Sequence, residues 1–233
     1  MQVPPYPAGG SPGCPNGQRN RHHRRRFAPV RARGTTRQAV RVIVEVDEAL
    51  AALLRRDVLN GAQVEIAFDA PTRDWAAKRS GPALSVFLYD IKEDTRRRQH
   101  GQINVRGGNG HIAARHRPPR VFDLCYLITA WTQRPEDEHR LLSAVLSSLL
   151  GHDALPEELL SKDLRALGVP CGLTVATTLG NDRSAADLWP ALGGELRPSL
   201  NVVVAAPALA GAPVDVAPLV IAPPLIDLQE RSR

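Results

Sequence analysis

Residues 121–131, VFDLCYLITAW, and 135–151, PEDEHRLLSAVLSSLLG, specify a buried strand that feeds an amphipathic helix, and any fold for this chain must accommodate that pair. Period-two alternation puts Phe122, Leu124, Tyr126, Ile128 and Ala130 on one face, and Asp123, Cys125, Leu127, Thr129 and Trp131 on the other. A strand apolar on both faces belongs inside a sheet. The helix opens at Pro135, where no amide donor is needed, and Glu136, Asp137 and Glu138 sit where the helix dipole favours negative charge. Leu141, Leu142, Val145, Leu146, Leu149 and Leu150 form one apolar stripe, and Gly151 is expected to stop the helix by its conformational freedom.

Strand-like and helical segments alternate around this unit. Residues 38–59 read as a helix broken by Asn60-Gly61, safest from Asp47 onward because the β-branched run from Val40 to Val46 could instead open as a strand. VEIAFD alternates as a short half-exposed strand ended by Pro71, and residues 83–91, ALSVFLYDI, form a more apolar one. A short helix is expected from Pro156, and a strand at residues 173–177. Ser184 is placed to cap another helix over residues 184–193, and a closing strand covers residues 200–205. The pattern predicts an α/β fold with a central mixed β-sheet flanked by helices. Its boundaries fall at residues 38–206. Residues 1–37 read as a disordered Arg/Pro/Gly-rich tail, and residues 207–233 as a proline-punctuated extension.

Charge is segregated along the chain. The net charge is +6, but eight of the 30 Lys and Arg residues lie within residues 1–37, which contain no acid; the other 22 face 24 acids. A second acid-free stretch, residues 96–120, carries Arg96, Arg97, Arg98, Arg106, Arg115, Arg117 and Arg120. It is too long for ordinary loop closure and reads as an excursion or a partly mobile segment. Five prolines between residues 207 and 224 exclude a continuous membrane helix, so a soluble protein with no membrane partner is expected. Cys14, Cys125 and Cys171 are too scattered for a disulfide framework and suit a reducing compartment.

No constellation for catalysis emerges. Gly107-Gly108-Asn109-Gly110 lacks the strand and the Lys-Ser/Thr that a phosphate cradle requires and reads as a turn. His111 and His116 have no cysteine or carboxylate at ligand spacing, and His22-His23 lies in the tail. Asp90, Glu93 and Asp94 could be posed as an acid/base pair, but they precede Arg96, Arg97 and Arg98 and read as a turn that neutralises them. Cys125 on a core strand is a poor thiolate, and Glu138-His139 reads as capping and surface charge. Trp75, Trp131 and Trp189 read as separate packing anchors. No enzyme activity, cofactor or metal is expected.

The order LSVFLYDIKED, a polar excursion, RPPRVFDLCYLITAWTQRPEDEHRLLSAVLSSLL and then DLWPALGGELRPSLNVVV resembles the cap, or tail-terminator, proteins of phage-tail-like contractile injection systems. The resemblance covers residues 38–207. It is most specific at Tyr126-Leu127-Ile128-Thr129-Ala130-Trp131, Glu138-His139-Arg140-Leu141-Leu142, Leu188-Trp189 and Arg197-Pro198-Ser199-Leu200. Asn201 stands where an aromatic residue is expected. The resemblance implies a tail-terminator-like fold and a hexameric ring, assembled in the cytoplasm into a releasable particle. There it would terminate polymerisation of the inner tube and sheath, its partners. Two contact surfaces follow as expectations: the arginines of residues 96–120, and Val202, Val203 and Val204 as an edge strand for an extended sheath arm. The competing class is a sequence-indifferent nucleic-acid-binding protein acting through the tail and the 96–120 stretch. Neutralising about seven phosphates would give it a log-log salt slope of about −6. The absence of aromatic residues from that stretch denies it a base-stacking platform.

Overall fold

The computed structural model describes residues 41–107, 110–176, 185–209, 211, 214 and 215. The expectations for residues 1–37, for Ser184 and for most of the C-terminal extension lie outside them. Helix α1, Val42–Leu54, runs into a π-helical turn at Arg55–Leu59 that ends on left-handed Asn60, φ 37°. Then follow β1 (Glu65–Ala67), α2 (Arg73–Ala77), β2 (Ala83–Glu93), β3 (Ile103–Arg106), β4 (Ile112–His116) and β5 (Arg120–Trp131). The remainder is α3 (Pro135–Leu150), α4 (Lys162–Ala166), β6 (Gly172–Val175), α5 (Ala185–Ala191), β7 (Leu200–Ala208) and β8 (Val214–Asp215).

The main sheet has the order β1-β2-β5-β7-β6, parallel only between β1 and β2, and so is mixed as expected. Leu124, Tyr126, Ile128 and Ala130 of β5 join Leu84 and Val86 of β2 and Val202, Val204 and Ala206 of β7 on one face. Against it α1 buries Val46, Ala49, Leu50, Leu53 and Leu54, a stripe at helical spacing, and α3 buries Leu142, Val145 and Leu149. Fully burying each of these leucines and valines stabilises the fold by about 1.5–3 kcal/mol. Leu150, expected in the stripe of α3, is 66% exposed. Gly151 does end the helix, but at φ −74°, in the right-handed region, so its freedom is not what stops it.

The opposite face is more polar, and its buried Ser85, Thr129 and Asn201 side chains are hydrogen-bonded, as burial demands. Ser85 donates to the Asp69 carbonyl at 3.1 Å, and Thr129 accepts from Trp131 Nε1 at 2.8 Å. Tyr89 occupies a β-bulge, one extra residue of β2 between the pairs Leu88–Tyr126 and Asp90–Cys125. From there it reaches across β5 and donates at 2.8 Å to Asn201 Oδ1 on β7. That bond accounts for a buried amide at a position where the resemblance expects an aromatic ring.

Two expectations are corrected. Strand β7 is not an edge: β5 pairs it from Leu200 to Ala208, and β6 pairs it at Val202, Val203, Val204 and Ala205. The backbone groups that a sheath arm would need there are already bonded, and Val202 and Val204 are fully buried. Pro207 lies beyond the reach of β6, where β7 has one neighbour and a missing amide donor is tolerated. The 96–120 stretch, in turn, is organised structure. A 3-10 turn at Thr95–Arg97 leads into the antiparallel hairpin β3–β4, and β8 pairs with β4 to complete a second, three-stranded sheet. The segment after Pro156 also differs, giving a 3-10 turn at Glu157–Leu159 and then α4, capped by Ser161.

Tyr126 is fully buried and donates at 2.7 Å to Asp47 of α1, tying helix to sheet. Burial raises the Asp47 carboxyl above its ordinary value, against the lowering effect of that bond. An acid with a raised folded-state pKa favours the fold while protonated, and the benefit disappears as pH rises from about 3.9 through the folded value. Asp47→Asn keeps the acceptor but cannot ionise. Relative to the variant, the natural chain should therefore lose stability over that window, as read by urea midpoints between pH 3 and pH 7. Parallel pH profiles would exclude Asp47 as the cause.

Candidate interaction site

The arginines of residues 96–120 divide into a tethered group at the end of β2 and an unneutralised group on the hairpin. Glu93 accepts from Arg98 Nε at 2.8 Å and Nη2 at 2.5 Å, and Arg120 approaches it at 3.6 Å. The Arg98 guanidinium accordingly holds the Glu93 carboxyl below its usual range. Asp94 caps the 3-10 turn by accepting from the Arg96 amide at 3.1 Å, while the Arg96 side chain is 91% exposed. Asp90 pairs with Lys92 at 2.9 Å. The neutralising turn expected of the acidic trio holds in part: Glu93 and Asp94 pair with Arg98 and Arg96, whereas Asp90, within β2, pairs with Lys92. On the hairpin, Arg106 donates to the Gly110 carbonyl at 2.9 Å, and Arg115 to Asn104 at 3.1 Å. Among the described residues Arg97, Arg106, Arg115 and Arg117 have no carboxylate ion pair. Ile103 and Val105, on the other face of β3, are 42% and 41% exposed.

A second assembly joins residues that the sequence reading kept apart. Trp75 of α2 meets Trp131 of β5 edge-on, with ring centroids 5.5 Å apart at 73°. Arg79 lies 4.1 Å over Trp75, and Arg197 lies 4.2 Å over Trp131. Arg79 is ion-paired with Glu65, and Arg197 with Glu138, so an unbroken chain of contacts links β1, α2, β5, residues 194–199 and α3. Glu138 is 5% exposed and also accepts from the Thr132 amide at 3.2 Å, which corrects its reading as surface charge; His139 is exposed as expected. Nothing local betrays Glu138, because its partner lies 59 residues away. A groove of about 920 Å³ runs beside this chain of contacts, between Val64, Pro82, Trp131, Gln133, Arg140 and Leu141. Trp189 is a separate anchor, 1% exposed, and a Cβ at Gly194 would come within 3.0 Å of its ring.

Neither cysteine among the described residues is set up as a nucleophile. Burial raises the Cys125 thiol and pushes Cys171 up to about 11, which keeps both protonated at neutral pH. His116 Nδ1 lies 2.9 Å from the Arg117 carbonyl. Among the described residues no group of three His, Cys, Asp or Glu side chains could hold a metal ion. Gly108 and Asn109 of the glycine turn lie outside the described residues. No helix among the described residues is long and apolar enough to cross a membrane.

The family model described as the Pvc16 N-terminal domain matches residues 45–222. Among solved structures, the chain is similar to the sheath/tube terminator, in its extended state, of an extracellular contractile injection system called PVC. The TM-score is 0.59 at 24% identity, over 82% of this chain and 65% of that one. It is also similar to the tube-terminating cap of the anti-feeding prophage, with a TM-score of 0.54 at 25% identity, over 78% of this chain and 61% of that one. The chain therefore spans somewhat less than two thirds of the length of each. No curated protein matches it. The matched span holds the strand-helix unit, both sheets and the tryptophan assembly, and by it the chain belongs to the Pvc16 N-terminal domain family.

Proposed function

We propose that this chain is a structural cap. It assembles as a six-fold ring on the end of a contractile injection particle and stops the inner tube and sheath from growing. The match to the Pvc16 N-terminal domain over residues 45–222 carries this reading. The partners are other copies of the chain and the terminal tube and sheath subunits, and the ring forms in the cytoplasm where the particle is built. Contact is made by the hairpin and its base, where Arg97, Arg106, Arg115 and Arg117 have no carboxylate partner among the described residues and Arg96 is almost fully exposed, so that they can meet acidic surfaces.

Particle length tests this. Reversing Arg96, Arg97, Arg106, Arg115 and Arg117 to Glu leaves the Glu93–Arg98 pair intact. It should give longer, ragged-ended particles by electron microscopy. If the variant folds and the length distribution is unchanged, the hairpin is not the contact. If cells lacking the chain altogether make particles of normal length, capping itself is refuted.

A further inference from the structure

Four strands leave an outer edge without a strand neighbour among the described residues: β1 and β6 in the main sheet, and β3 and the two-residue β8 in the small one. Such edges carry unpaired amide and carbonyl groups that template another strand. They differ in charge. The β6 strand has no charged residue and is bridged at Gly172 by Ala154. Around β1 the sequence is Val64-Glu65-Ile66-Ala67-Phe68-Asp69, with Glu65 and Asp69 about two-thirds exposed and sharing one cation, Arg79. Along β3 it is Ile103-Asn104-Val105-Arg106, with Arg115 alongside on β4.

We propose that β3 of one copy adds to the outer edge of β1 in the next, so that main-chain pairing between an acidic edge and a basic edge closes the ring. The inference rests on the ring reading given above. The alternation of the two strands matches: Val64, Ile66 and Phe68 face the core side of β1, with Glu65 and Asp69 opposite, while Ile103 and Val105 share one face of β3, with Asn104 and Arg106 on the other. Pairing them sets exposed apolar residues beside apolar ones and Arg106 beside a carboxylate, in either strand direction. Self-pairing of β3 would instead bring two basic edges together and give Arg106 no carboxylate. Because β1 and β3 are different surfaces, the contact is head-to-tail, the kind that closes by rotation into a ring.

The test uses the full chain with Cys14→Ser, leaving only the buried Cys125 and Cys171. Asp69→Cys and Asn104→Cys are introduced together and singly. Asp69 follows β1 by two residues and Asn104 shares a face of β3 with Arg106, and the paired edges would bring them within reach of a short bismaleimide. The double variant should give a ladder of cross-linked species up to the ring, and each single variant none. Light scattering is read on the same samples. A closed oligomer with no ladder overturns the edge pairing and leaves the ring. A chain that stays monomeric overturns both.

Discussion

Glu138→Ala is expected to destabilise the domain by about 2–3 kcal/mol, at the low end for breaking a buried ion pair because Arg197 is about one-third exposed. The substitution strands the Arg197 guanidinium above the Trp131 ring and leaves the Thr132 amide without its side-chain acceptor. In a chain of this size that corresponds to a fall of roughly 5–10 °C in Tm. Glu138→Gln keeps an acceptor for Thr132 and should cost less. Glu195→Ala is the control: its pair with Arg73 is exposed on both sides, at 69% and 86%, and its loss should stay within about 0.5 kcal/mol. If thermal unfolding gave the same shift for Glu138→Ala and Glu195→Ala, the buried pair would contribute nothing and the tryptophan assembly would be held by packing alone.

Val203→Pro should abolish folding, or cost more than about 3 kcal/mol, because Val203 sits between Cys125 of β5 and Thr174 of β6. Proline removes one ladder donor and its ring obstructs the neighbouring strand. Val203→Ala retains the backbone and should lose about 1 kcal/mol. Soluble yield and far-ultraviolet circular dichroism distinguish the two. A well-folded Val203→Pro protein would return β7 to an edge position and revive the sheath-arm contact expected from its sequence.

What the sequence makes legible follows from where the determining interactions lie. Pro135 and the acidic turn after it start a helix through local sterics and charge, and α3 begins where they say. The two faces of β5 follow from alternation alone. Strand neighbours are different, since Val202, Val203 and Val204 are equally β-prone at the edge or the middle of a sheet, and only the distant pairing with β6 decides. The hairpin was masked for a related reason: residues 103–106 and 112–116 are too polar and short to stand out as strands, and β8 lies about a hundred residues further on. The tryptophan assembly likewise joins residues from 75 to 197.

The extra residue at Tyr89 divides β2 between two masters. Residues 83–88 answer to the helices packed on them, whereas those beyond the bulge run out toward the hairpin, past the interior. Drift in that distal half can follow a changing neighbour without disturbing what lies beneath the helices. One inserted residue thus separates the part of β2 that holds the core from the part that leads into the hairpin.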